Sequence, residues 1–191
     1  MVKSSLSFTR ARRPIVGVMG SHVEGHPERS RPLGQWIASQ GYHLLTGAGE
    51  GVMSAVSQAF AEVDGRVGCV IGIVPTGATA TAESLRTPLA GYCNAWVDIP
   101  VITHLGVGDV SGDEPMSRNH INILTSSVVV LLPGGVGTAG EARLAVRYDT
   151  PAVAFLNSRD EIPSLPTEVA VSSDFDAVTD FIEQCLATSV Q

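Results

Sequence analysis

Aromatic residues are scarce, at 5% of a 191-residue chain. That leaves the core to small and aliphatic side chains, and with 20 glycines it suits closely packed strand–helix units. Basic charge is also short. Lys and Arg total 12 against 19 Asp and Glu, a net charge of −7, so a general nucleic-acid or anionic-membrane surface is not expected. An anionic ligand would need a local positive site made from helix N-termini and a few arginines. The three cysteines, Cys69, Cys93 and Cys185, have no zinc or redox spacing. They read as buried thiols of a cytoplasmic protein. No apolar run approaches the ~18 residues that a bilayer span needs. The histidines, His22, His26, His43, His104 and His120, show no metal-ligand spacing, so no metal ion is expected. No Gly-Lys-Ser/Thr triplet exists for a Walker A loop. The first glycine turn, Gly17-Val-Met-Gly20-Ser21, is not G-x-G-x-x-G, and the second strand ends in Thr46-Gly47 without an acid. Mg²⁺-nucleotide hydrolysis and NAD binding therefore both fit poorly.

What is present alternates. Short apolar runs at Pro14–Met19, Tyr42–Thr46, Val67–Val74, Ala95–Ile99, Val128–Leu132, Ala152–Leu156 and Val169–Val171 read as strands. Helical spacing follows Pro27, runs from Val52 to Val63, from Glu114 to Ser126, through Arg147, and from Phe175 to Leu186. Strands alternating with helices predict one doubly wound α/β domain with a mostly parallel sheet, covering 14–191. Met1 to Arg13 carries Lys3, Arg10, Arg12 and Arg13 but no apolar core, and reads as a flexible leader rather than a secretory signal. Thr76–Asn94, long and rich in Thr, Ala and Gly, reads as a lid.

Three strand-to-helix turns carry glycine: Gly20-Ser21, Gly47-Ala-Gly49-Glu-Gly51-Val-Met53, and Pro133-Gly134-Gly135-Val136-Gly137-Thr138. In a doubly wound sheet all three fall at the carboxyl ends of strands, where ligands bind. A strand ending in glycines and turning into a helix gathers free N–H groups at the positive end of the helix dipole, which suits a phosphate. Glycine for tight turns and close packing is the competing explanation for the same loops. Glu141 lies about one turn inside the last helix, where its carboxylate can face the loop's ligand. Arg118, early in the helix feeding the preceding strand, falls near the same end of the sheet and can grip a phosphate bidentately. A solvated surface arginine is the alternative at that position. Asn119 could add an amide contact.

Pro133-Gly-Gly-Val-Gly-Thr-Ala-Gly-Glu141 resembles the PGGxGTxxE motif of the LOG family, once described as lysine decarboxylases. Arg118, 15 residues before Pro133, stands where that family has the arginine of its Arg-Lys pair. Gly47–Met53 and Gly17–Ser21 are similar to its other glycine turns. The resemblance covers Pro14 to about Leu186 and implies a Rossmann-like fold assembled as a homodimer or homotetramer. It also implies that the glycine loop and Thr138 hold phosphate. LOG enzymes cleave the N-glycosidic bond of cytokinin riboside 5′-monophosphates, which would make Arg118 and Glu141 the catalytic pair. Two positions depart from that pattern: Asn119 replaces the lysine, and Gly140 stands where active enzymes often have a second glutamate. Ser117-Arg-Asn-His-Ile-Asn122 is more similar to the molybdenum cofactor carrier proteins of the same superfamily. That likeness implies binding of an anionic, phosphate-bearing small molecule, the molybdenum cofactor, with phosphoribohydrolase activity as the alternative.

Overall fold

The computed structural model describes residues 12–76, 81–106 and 112–188. The leader up to residue 11, residues 77–80 of the expected lid, and residues 107–111 and 189–191 lie outside the described residues. Strands β1 (Ile15–Met19), β2 (His43–Thr46), β3 (Val70–Pro75), β4 (Ile99–Thr103), β5 (Val128–Leu131), β6 (Ala152–Phe155) and β7 (Ala170–Ser172) form one sheet. Helices α1 (Pro27–Ser39), α2 (Val52–Ala61), α3 (Asn119–Thr125), α4 (Val136–Arg147) and α5 (Phe175–Thr188) cover it. Among the described residues, all seven strands run parallel in the order β4-β3-β2-β1-β5-β6-β7.

The apolar runs are continuous because the central strands are buried on both faces. Val16, Val18, Val128 and Val130 pack with Leu33, Ile37, Val56, Phe60, Val178 and Ile182, from α1, α2 and α5. Met19, Val129 and Leu131 point the other way, towards Ile123 of α3 and Ala139, Ala142 and Leu144 of α4. Each large aliphatic or aromatic side chain buried this way contributes roughly 1.5–3 kcal/mol. Arg13, the last residue of the expected leader, donates from Nη1 to Gly41 O at 3.1 Å and so meets the domain at the end of α1.

Strand β3 begins at Val70 rather than Val67, and two elements begin later still than their sequence patterns suggest. The helix expected from Glu114 starts at Asn119. The Arg118 N–H donates to Gly106 O (3.2 Å) and Ser117 forms a parallel bridge with Gly106, which takes that backbone out of the helix. The strand expected at Ala95–Ile99 starts at Ile99. Asn94 organises the residues before it as a turn, accepting from the Trp96 N–H on Oδ1 and from the Val97 N–H on its carbonyl.

From β1 the chain builds outwards through β2, β3 and β4, then crosses back to build β5, β6 and β7 on the other side. The direction of winding reverses between β1 and β5, which leaves a crevice at their carboxyl ends. No helix among the described residues is long and apolar enough to cross a membrane.

Candidate functional site

The crevice is framed by the turns that leave β1 and β5. The Ser21 N–H donates to Pro133 O at 2.9 Å and joins the two turns edge to edge. Ser21 Oγ accepts from the N–H groups of Val23 (3.1 Å) and Glu24 (3.0 Å), which shapes the first turn. Its carbonyl accepts from Val52 N–H at 2.9 Å, so the start of α2 is tied to the same point. Gly51 makes this junction possible: its φ is +61°, and a β-carbon there would run into the Ser21 carbonyl.

Helix α4 opens directly onto the crevice. The Gly134 N–H is spent on Glu161 O (3.1 Å) and the Ala139 N–H on Gly135 O (3.1 Å). Between them, the N–H groups of Gly135, Val136, Gly137 and Thr138 have no hydrogen-bond partner among the described residues. First-turn donors of this kind, at the positive end of a twelve-residue helix, favour an anion.

Arg118 is the N-cap residue of α3 and is 5% exposed. Its Nη1 donates to Gly47 O and Ile73 O, each at 2.6 Å, so this nitrogen clamps the carboxyl ends of β2 and β3. Gly47 leaves room for the guanidinium, which a β-carbon would displace. Nη2 reaches the Tyr92 hydroxyl at a long 3.4 Å, and the guanidinium carbon lies 5.1 Å from the Tyr92 ring centre. Nε is buried with no partner. The Nε–Nη2 edge, the one that takes an oxyanion bidentately, is thus almost unspent.

Glu141 is buried on α4, and Asn122 Nδ2 donates to its Oε1 at 3.0 Å. Asn122 is fully buried and its own Oδ1 has no partner. Glu141 and Arg118 influence one another electrostatically but do not form an ion pair. Burial pushes the Glu141 carboxyl up to about 7, against the Asn122 hydrogen bond and the Arg118 charge, which both pull it down. Asn119 donates from Nδ2 to Gly112 O at 2.9 Å and so holds the segment before α3.

These groups share a cleft of about 390 Å³, within the range of small-molecule sites. Of the residues singled out by sequence, Gly20, Ser21, Met53, Arg118, Asn119, Gly135, Val136, Gly137, Thr138 and Glu141 line it. Gly47, Gly49, Gly51, Ser117, Pro133 and Gly134 stand one layer behind. Gly49 donates its N–H to Met53 Sδ (3.4 Å), and Ser117 Oγ caps the Asn119 N–H (3.2 Å). Sequence reasoning passed over Tyr92, His22 and Asn122. The rings of His22 and Tyr92 lie stacked, 5.5 Å apart, along the cleft. The signals for Asn122 were its spacing, one helical turn after Arg118, and its place at the end of the Ser117–Asn122 string. Among the described residues no group of three or more His, Cys, Asp or Glu side chains is placed to hold a metal ion.

A sequence model of the SLOG cluster4 family matches residues 13–179. No curated protein sequence matches the chain. Among solved structures, the molybdenum cofactor binding protein of the phototrophic bacterium Rippkaea orientalis aligns with a TM-score of 0.67 and 28% identity. That match covers 93% of this chain and 99% of the other. The Moco carrier protein of Chlamydomonas reinhardtii aligns with a TM-score of 0.68 and 30% identity, again over 93% and 99%.

Proposed function

The chain belongs to the SLOG cluster4 family, and from that premise we propose that it binds the molybdenum cofactor, or a closely similar phosphate-bearing anion, as cargo in the β1/β5 cleft. One observation carries this reading: unspent donors converge there. Four N–H groups of the α4 turn, three of them on solvent-exposed residues, face the same small cleft as Arg118, whose Nε is buried without a partner, and such a buried donor is costly unless a ligand satisfies it. Phosphate oxygens would take the N–H groups of Gly135 to Thr138 and the Thr138 hydroxyl. Arg118 would grip an oxyanion along its Nε–Nη2 edge. The stacked His22 and Tyr92 rings offer a flat wall to the rest of the ligand. The similarity to carrier and binding proteins for this cofactor, at 28–30% identity, supports the choice of ligand. Self-association into a homodimer or homotetramer belongs to the same reading, and light scattering at two concentrations tests it.

A titration of isolated molybdenum cofactor, with phosphate as competitor, tests the binding. Saturable binding is expected, weakened in Arg118→Ala by the loss of one charged hydrogen-bonding group, about 1.5–3 kcal/mol or roughly 10- to 150-fold in Kd. Binding that ignores both Arg118→Ala and added phosphate would refute this site.

A second reading has its own observation. Glu141, with its carboxyl at about 7, lines the same cleft as Arg118, and a carboxyl poised near neutrality suits acid–base work. In a nucleoside 5′-monophosphate N-glycosidase, the carboxylate would stabilise an oxocarbenium-like state while water attacks the anomeric carbon. Incubation with adenosine or isopentenyladenosine monophosphate separates the two. The carrier reading expects no release of free base; release that is lost in Glu141→Ala would favour the enzyme.

A further inference from the structure

Glu141 sets a problem for any anion in this cleft. It is 8% exposed, it lines the same wall as the α4 donors, and among the described residues no cation forms a salt bridge with it. A bound dianion beside an ionised, buried carboxylate would pit like charges against each other where water screens least. The surroundings offer little relief. From α3 come Asn122, which donates to Oε1, and Arg118, whose Nη1 is committed to Gly47 O and Ile73 O. Across the cleft stand His22 and Tyr92. On α4 itself Arg143 is engaged with Asp113 at 2.9 Å, with Glu114 nearby. His120 on α3 is held between Tyr148 and the Glu114 carbonyl. Strands β5 and β6 present only apolar residues.

We propose that Glu141 takes up one proton from solvent when a dianionic phosphate- or sulfate-like group enters the cleft, so that loading is coupled to proton uptake and unloading to proton release. This rests on the anion site proposed above. A neutral carboxylic acid removes the repulsion and gains an O–H donor. Oε2 has no hydrogen-bond partner among the described residues, so that donor is free to meet the ligand, while Oε1 keeps its bond from Asn122. Burial already holds the free protein's carboxyl at about 7, and the field of an entering dianion in a poorly screened cleft raises it further, enough to keep it protonated through the mildly alkaline range. The cleft would fill more readily in mildly acidic conditions and empty as pH rises.

Sulfate is the cleanest probe, because it stays dianionic throughout the range and any proton taken up comes to the protein. Its Kd is expected to be flat below about pH 6 and to rise about tenfold per pH unit above about pH 7. Calorimetry at pH 8 in buffers of different ionisation enthalpy should count close to one proton taken up per sulfate, falling towards none at pH 5.5. In Glu141→Gln, which keeps an acceptor for Asn122, the Kd should lose its pH dependence and the proton count should vanish. In His22→Asn the pH dependence and the proton count should persist whatever happens to the affinity, which excludes the cleft's histidine as the acceptor; if Glu141→Gln fails to fold, Glu141→Ala replaces it, with the same two losses expected. A flat wild-type Kd, a pH dependence that survives Glu141→Gln, or one that disappears in His22→Asn would each overturn the coupling while leaving the anion site standing. If sulfate, phosphate and adenosine monophosphate all fail to bind at any pH, the anion site itself falls, and the coupling with it.

Discussion

At the residue scale, the carboxyl of Glu141 makes a demand on folding as well as on binding. It sits at about 7 in the folded protein against an ordinary 4.5, chiefly because burial disfavours its charge. Below about pH 4.5 it is protonated in both folded and unfolded chains and costs nothing. Between 4.5 and 7 the folded state holds the proton more tightly, so this group's contribution falls as pH rises. Above 7 the loss is complete, at about 3 kcal/mol for a shift of this size. Glu141→Gln should therefore match the wild type near pH 4.5 and exceed it by about 3 kcal/mol at pH 8. Urea unfolding at the two pH values, in buffers free of oxyanions, reads this difference, and a gap independent of pH would contradict the buried, unpaired state of the carboxyl. The sequence exposed Glu141 through its place in the motif, as it did Arg118 and Thr138. Asn122 stood in the Ser117–Asn122 string without a visible role, because an asparagine inside a short helix looks like a poor helix former until its partner on α4 is seen. Tyr92 was concealed for a different reason, since it arrives from an irregular segment without periodicity.

At the scale of elements, the glycines of the second turn stand behind the cleft while its Met53 lines it. Sequence placed Gly47, Gly49 and Gly51 in the site because strand-to-helix glycines suit phosphate. Geometry puts them behind it, where Gly47 admits the Arg118 guanidinium and Gly51 admits the Ser21 carbonyl. Close packing explains the glycines of the turn after β2, while ligand approach is the role proposed for those after β5. The turn after β5 leaves four N–H groups unspent, while the turn after β2 is filled by protein. This makes Gly47→Ala a remote probe of the site. Its β-carbon would push on Nη1 of Arg118, at the bond that clamps β2 to α3. We expect a stability loss of about 1–3 kcal/mol from overpacking. Sulfate affinity should weaken in the direction seen for Arg118→Ala, although Gly47 does not line the cleft. Measuring the urea midpoint and the sulfate Kd together checks this, and unchanged affinity despite lost stability would show that the clamp does not position the arginine. The late starts of α3 and β4 belong to this scale too. Gly106 and Asn94 claim backbone groups that local periodicity assigned to a helix and a strand, and such long-range claims leave no trace in a sequence window.

At the scale of the whole molecule, alternation of apolar runs with helical spacing was enough to predict a doubly wound sheet, but not which turns would meet. Adjacency decides that: β1 lies between β2 and β5, so the first and third glycine turns face each other across the reversal of winding. Net charge adds a further consequence. The chain carries −7 overall, while Arg118 is the one Lys or Arg among the described lining residues. The donors proposed to hold an anion are short-ranged, consisting of N–H groups and one buried guanidinium, and the long-range field of the protein would repel the same ligand. These two effects act over different distances. Salt screens charges separated by more than about 10 Å at 0.1 M, so it weakens the long-range repulsion and leaves contacts inside the cleft largely intact. The association rate of a dianionic ligand should thus rise with ionic strength, the opposite of electrostatically steered capture, in which rates fall steeply with salt. Stopped-flow association of a fluorescent phosphate-bearing nucleotide analogue, at potassium chloride concentrations from about 20 to 300 mM (about 20 to 6 Å of screening length), tests this. A rate that instead falls with salt would mean that positive potential near the cleft mouth outweighs the net charge. Dissociation should change far less, because it is governed by the bonds to α4 and Arg118 rather than by the distant field.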